Sequence, residues 1–439
     1  MSIVTGQGRY ACKTYRRHFI WALWLLSGWP VTSYAADVAV ITLEQATVRT
    51  LSTHPNLQMG EQQNLAWRGR LQQASQTPGY ELQIETENAL GTGQFSGVDT
   101  LETTVALSSV WEWGDQRQTR INAVNAQGKV IELQQQIQRL ELTAEVARRY
   151  VNVQYAEARV QHLQSRQKVL RRVLRTVKRR VNAGLSPTAE RLRAETDVAE
   201  AAIQIDIARQ TLQIAKQQLV LLWNGDTTTI QVSGDVVNID SLAPDKVLLD
   251  RLLESPYLQQ VVAESRQLNA ETLAVRAANQ PDIRWSLGSR YHHESDDIAL
   301  VSSVEIPLFS ASRNQGAIAT AGAEGAIAKL SIRQRQLALK QQLRAVQSDW
   351  QHATALVNHY QQNFIPKLKQ VQAQARRLYD EGKYSYLELS QAHQALLNAQ
   401  LTILDAAKAA QLARIHIDRL APISGAVAVN PATQATEEN

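Results

Sequence analysis

Two periods of hydrophobicity follow one another along this chain, and the succession occurs twice. From Tyr80 to Asn88 the period is two. Tyr80, Leu82, Ile84 and Thr86 fall on one side, and Glu81, Gln83, Glu85 and Glu87 on the other. Strict alternation predicts a strand with one dry face and one wet face. Past a glycine-rich loop, Val105, Leu107, Trp111 and Trp113 again share a side, opposed by Glu102, Thr104, Ala106, Ser108 and Glu112. The two strands form a predicted hairpin over 80–113. Gly114-Asp115 then changes the period. Val130, Leu133, Ile137, Leu140, Ala144, Ala147 and Val151 step by three and four, and a shifted register continues to Val181. This predicts a single helix over 115–181, about 100 Å long at 1.5 Å per residue. Asn182-Ala183-Gly184 stops it, and Ser186-Pro187 opens a return helix over 187–223.

The second half repeats the order. Pro55, Pro78 and Gly184 return as Pro256, Pro281 and Gly382, at offsets of 201, 203 and 198 residues. A regular offset of this kind signals one structural unit built twice. The first repeat is predicted over 36–223 and the second over 245–420, joined by a polar segment at 224–244 with strand character near Ile230. In the second repeat the hairpin spans 282–309, the long helix 313–381 and the return helix 385–420. Thr42 and Gln45 form a capping box ahead of a helix that breaks at His54-Pro55. Pro366 lies inside the second long helix and should kink it. Residues 421–439 are small and polar, which predicts a disordered tail.

Residues 1–35 read as a signal peptide. Arg9, Lys13, Arg16 and Arg17 precede a short apolar core, and Ser33-Tyr34-Ala35 is a cleavage site. Removing them changes the charge argument. The chain carries 46 Lys and Arg against 41 Asp and Glu; without the four basic residues of this segment the balance is 42 to 41. The basic character is the leader's, and nucleic-acid binding loses its support. The single cysteine, Cys12, leaves with the leader, which excludes thiolate metal sites and cysteine nucleophiles. No nucleotide loop, zinc motif or serine–histidine–aspartate set is present, so the sequence predicts no enzyme and no cofactor.

Four alternating strands of about ten residues suit an outer-membrane barrel but cannot close one. Lipid tolerates no unpaired sheet edge, so several copies must share the ring. Three copies give twelve strands. The dry faces then meet lipid, with Trp111 and Trp113 at the rim or in the core. The wet faces line the lumen. Glu81, Glu85, Glu87, Glu102, Glu112 and Glu305 stand there with Arg284 and Arg290, a formal −4 per chain that favours cations. His292 and His293 sit on a polar turn; they are weak candidate metal ligands, since adjacent histidines in such a turn are more often ordinary surface residues.

The order of hairpin, long helix, glycine and return helix, taken twice, resembles the TolC family of outer-membrane efflux channels. The turns Val181-Asn182-Ala183-Gly184-Leu185 and Leu378-Tyr379-Asp380-Glu381-Gly382 are similar to that family's tip motifs. Glu85-Thr86-Glu87-Asn88 and Trp111-Glu112-Trp113-Gly114 look most like its heavy-metal, CzcC-like branch. The resemblance implies a mostly helical α+β fold: a homotrimeric 12-stranded β-barrel in outer-membrane lipid, continued by a long periplasmic α-helical barrel. It implies a passive duct for heavy-metal cations, served by a periplasmic membrane-fusion adaptor and an inner-membrane pump of the RND type. It places Glu190 and Glu388 at a periplasmic constriction, where Gln391 replaces a second acidic ring. It gives Tyr379 a role in closing the tip, with Tyr384 in place of a partnering arginine, and puts Gly184, Leu185, Gly382 and Lys383 at the adaptor. A drug-efflux or type I protein-secretion duct remains open, as does a periplasmic coiled-coil scaffold.

Overall fold

A computed structural model describes residues 39–225, 230–308 and 314–423. The predicted leader, Cys12 and residues 424–439 of the predicted tail lie outside them. The elements run β1 (Ala39–Ile41), α1 (Leu43–Thr53), α2 (Pro55–Ser75), β2 (Glu81–Glu87), β3 (Glu102–Trp111), α3 (Gln116–Asn182) and α4 (Thr188–Val220). The second repeat follows as β4 (Ile230–Val232), α5 (Asp245–Leu253), α6 (Pro256–Ala277), β5 (Ile283–His292), β6 (Asp297–Glu305), α7 (Gln315–His359), α8 (Ile365–Asp380) and α9 (Tyr386–Leu420). The capping box at Thr42 and Gln45 is formed, and His54 Nδ1 accepts the Asn56 N–H where α1 gives way to α2.

Two differences from the sequence reading have physical causes. The second long helix is not continuous. Five residues, Tyr360–Phe364, make a π turn immediately before Pro366. Proline has no N–H and its ring crowds the preceding turn, so the helix widens there instead of keeping its ladder. The 224–244 segment is more than a link: β4 pairs in parallel with β1, Ala39 opposite Ile230 and Ile41 opposite Val232. Tyr150 of α3 fixes this strap, its hydroxyl 2.9 Å from the carbonyls of both Ile41 and Ser233. Among the described residues the strands of one chain do not close a ring, as their number led one to expect. The two hairpins join into a single antiparallel sheet of order β2-β3-β5-β6. Its end strands, β2 and β6, each have one neighbour.

The helices pack side by side, with α6 between α3 and α7. α3 packs against both α4 and α9, and α9 packs against α7 and α8. α3 is 67 residues long, about 100 Å. Most of the heptad positions are buried, and Ile131, Leu142, Val146, Tyr150, Ala156 and Val173 are buried beside them. Leu163 packs with Ile205 and Ala208 of α4, and Val173 and Val177 pack with Ala194 of α4 and Leu389 of α9. The reason is geometric: a narrow stripe at steps of three and four can be buried only along a neighbouring helix.

Candidate functional site

Two regions hold the chemistry, one at each end of α3. At the sheet, the register puts the sequence's polar residues on one face. Glu81 pairs with Ser108, Glu87 with Glu102, Thr104 with Arg290 and Arg284 with Glu305. On that face Arg290 reaches Glu87 and Glu102, each at 3.1 Å, and donates to Thr104 Oγ1 at 2.9 Å. Arg284 lies 3.8 Å from Glu81 and 4.0 Å from Glu305. Glu85 enters no ion pair among the described residues. Glu112 stands past the end of β3, where Arg120 of α3 holds it at 2.6 Å. It therefore locks the strand to the helix and does not join the ladder.

The other face carries the apolar residues, and they are the exposed ones. Leu300 is 79% exposed, Ile298 75% and Leu82 67%, whereas Thr104 and Ser108 on the polar face are each 6% exposed. In water a sheet buries its apolar side; this one is inside out. Towards the helical end of the apolar face are four aromatic rings. Tyr80 meets Trp285 edge-on at 6.3 Å, and Trp111 and Trp113 lie 5.8 Å apart. Trp111 and Trp113 are thus not core residues within the chain. At the far end, His292 Nδ1 lies 3.4 Å from Glu102, His293 lies against Tyr291 with centroids 6.3 Å apart, and Asp296 accepts the Tyr291 hydroxyl at 2.6 Å. Among the described residues no three ligand-type side chains converge on a point that could hold a metal.

At the opposite end lies the helical tip. Both turns end their helix identically. Gly184 and Gly382 adopt φ of 73° and 77°, a region where a Cβ is strained. Leu185 N–H bonds the Arg180 carbonyl and Lys383 N–H the Leu378 carbonyl, each at 2.9 Å, closing a Schellman turn in each repeat. Lys383 also pairs with Glu381 at 2.9 Å. Leu185 is exposed, as are Tyr384 and Gln391.

Below these turns the two helix pairs are fastened to each other. Tyr379 and Tyr386, each 1% exposed, meet edge-on at 6.5 Å. Glu190 accepts from both: the Tyr379 hydroxyl at 3.2 Å and the Tyr386 N–H at 3.0 Å. Burial, and then Glu190 beside it, push the Tyr379 hydroxyl up to about 12. Glu388 is turned back on its own helix start, where its carboxylate takes the Ser385 N–H at 2.6 Å and hydroxyl at 2.9 Å. Both glutamates expected at the constriction are therefore engaged within the chain.

The sequence reading missed four members of this fastening. Tyr386 donates to Asp197 at 2.6 Å, and Ser390 donates to the same oxygen at 2.9 Å. Asp197 sits in the buried stripe of α4, three residues after Ala194 and four before Ala201; a carboxylate at a core step was the available signal. Arg180 is the fourth. Its guanidinium lies 4.9 Å from the Tyr379 ring centroid and donates to the Tyr379 and Asp380 carbonyls at 2.8 and 3.0 Å. It caps the end of α8 from the other repeat. Nothing in the basic run of α3 distinguishes Arg180 before the repeats are docked.

An inside-out sheet continued by paired rods about 100 Å long defines a membrane channel subunit with a helical extension. Residues 47–225 and 248–421, one span per repeat, match the outer membrane efflux protein family, and the chain belongs to that family. It is 24% identical over 381 residues to the cobalt-zinc-cadmium resistance protein CzcC of Cupriavidus metallidurans, covering 87% of this chain and 90% of that one. It is 27% identical over 301 residues to the cation efflux system protein CusC of Escherichia coli K12, 63% of each chain. The fold matches a crystal structure of CusC with a TM-score of 0.73 at 20% identity, over 86% of this chain and 91% of that one. The outer-membrane channel OprN gives 0.72 at 16% identity.

Proposed function

We propose that three copies of this chain form an outer-membrane exit duct that passes heavy-metal cations from a periplasmic adaptor and an inner-membrane pump to the exterior. The observation that carries the reading is the inverted sheet: its exposed apolar face is suited to lipid and to no aqueous compartment. Four strands with two free edges must close with other copies. The helices carry exposed apolar stripes as well. Ile203, Ile207 and Ile214 make an exposed stripe on α4, and Ile327, Leu330 and Leu337 another on α7. The first repeat of one copy then packs on the second repeat of the next, a head-to-tail contact that closes into a ring. The periplasm-spanning scaffold leaves the inverted sheet without a purpose.

The polar face lines the duct. With Glu112 held by Arg120, Glu81, Glu85, Glu87, Glu102 and Glu305 face Arg284 and Arg290, so the lumen stays acidic and concentrates cations. Gly184, Leu185, Gly382 and Lys383 form the surface offered to the adaptor, and Glu190, Tyr379 and Glu388 the frame of the closed tip. A heavy-metal cargo is supported by the likeness to CzcC over 87% of the chain. The test is growth of a deletion strain on a panel of metals and drugs. Sensitivity to divalent metals, restored by the gene, is expected; sensitivity to drugs alone would replace the cargo.

A further inference from the structure

His393 is a half-buried titratable group that neither the sheet nor the tip fastening uses. It lies on α9 seven residues after Tyr386, about 10 Å along the helix. Its Nδ1 is 2.6 Å from the side-chain nitrogen of Gln372 on α8. Its Nε2 is enclosed and has no hydrogen-bond partner. A neutral imidazole suits such a place. A protonated ring has two N–H donors. One can use the amide oxygen of Gln372; the other, at Nε2, has nothing to donate to.

Charge reaches this ring from two elements, and both bring the same sign. Arg376 of α8 and Arg166 of α3 face it. No acid is placed to balance them. On α9 itself, residues 389–397 hold no other charged side chain. On α4, Asp197 is taken by Tyr386 and Ser390 at 2.6 and 2.9 Å, and Glu200 accepts from Gln204 at 3.0 Å. Burial, and then Arg376 and Arg166, hold the His393 ring below the usual histidine range. Arg166 is also a tie between the repeats at this height. Its guanidinium donates to Gln204 of α4 at 2.9 Å and to Gln394 of α9 at 2.5 Å. The group that a charged His393 would repel is therefore one that fastens α9 to α3 and α4.

We propose that His393 is an acid-sensitive joint: neutral, it lets α8, α9 and α3 close around it, and protonated, it drives them apart and loosens the second helix pair above the tip. The ring is neutral in the fold and takes a proton near 6.5 once exposed. The packing it permits is fully present above that pH and is lost as pH falls from there through the lower folded value. The joint lies within one chain, so its failure leaves the duct reading untouched.

The test is amide hydrogen exchange of the full chain in detergent from about pH 8 to about pH 5, each rate divided by its intrinsic value at that pH. In the wild type, protection of residues 365–380 and 386–400 should fall severalfold as pH drops through this window. His393→Gln keeps a neutral partner for Gln372 and should hold its protection. Arg376→Gln removes one repelling charge from an exposed position and should show a smaller fall than the wild type. His416, itself held low first by burial and then by Arg419, lies 23 residues further along α9, about 35 Å. Exchange at residues 410–420 should therefore answer to acid alike in the wild type and in His393→Gln. A wild-type tip indifferent to acid, or an equal loss in His393→Gln, overturns the proposal. If His393→Gln is unprotected at every pH, Arg376→Gln decides: a fall as large as the wild type's overturns the joint, and a smaller one upholds it.

Discussion

The sheet and the tip obey opposite rules. At the tip the large apolar and aromatic residues, Tyr379, Tyr386 and Leu389, are buried inside one chain and charge faces outward. At the sheet, Leu82, Ile298 and Leu300 share one exposed face and the charges are gathered on the other. One sequence, duplicated, thus prepares its two ends for different surroundings. The tip is complete as a single chain. The sheet leaves its apolar face exposed and its two edge strands with one neighbour each, which the proposed ring in lipid would cover.

The largest effect should come from forcing the sheet to obey the tip's rule. Leu300→Arg puts a charge on the lipid face and should cost about 2–4 kcal/mol if that position lies near the bilayer midplane. Yield of assembled channel in the outer membrane measures it. Ala299→Arg, one residue earlier and on the polar face, should assemble nearly normally. If both substitutions behave alike, the two faces do not differ.

Next is the fastening of the helix pairs. Tyr386→Phe keeps the ring and removes the hydroxyl that meets Asp197, at a cost of about 1–3 kcal/mol for a buried acceptor losing its donor. Hydrogen exchange should quicken at residues 375–392 and stay unchanged in β3 and β5. A uniform loss would mean that the ends are not independent.

The response to pH has a defined sign. The Tyr379 hydroxyl is held neutral in the fold, up to about 12, against an unfolded value near 10. Its contribution is fully present below pH 10 and is lost as pH rises through 12. Tip exchange measured across this window should accelerate in the wild type and less so in Tyr379→Phe. The smallest effect is expected at Arg284, whose contacts at 3.8 and 4.0 Å are loose and exposed. Arg284→Gln should leave stability within about 1 kcal/mol and raise the cation preference in planar bilayers. A fall in that preference would oppose an acidic lumen.

Much of this contrast was legible in the sequence, for a physical reason. Period two and period 3.5 are local, and they marked both hairpins, both rods and the wet and dry sides of each strand. The two glycines marked the turns because only a residue at ease with positive φ ends a helix that way. What stayed hidden depends on how the repeats dock. Glu190 was legible as a tip residue, but its bonds to Tyr379 and Tyr386 join positions nearly two hundred residues apart. Arg180 was one of ten basic residues between 166 and 200. Glu112 shared the parity of the lumen residues, and only the fold shows Arg120 taking it. The π turn before Pro366 was not legible, because proline marks where a helix is disturbed but not which form the disturbance takes.

The central claim is that alternate residues of one strand face lipid and water. The only cysteine, Cys12, lies in the segment read as a removed leader, so single cysteines can be placed at 298 to 304 in β6 and exposed to a water-soluble maleimide in intact outer membranes. The account predicts a period of two: 299, 301 and 303 react, and 298, 300, 302 and 304 are protected. Uniform reactivity, or protection on the opposite set, would contradict it.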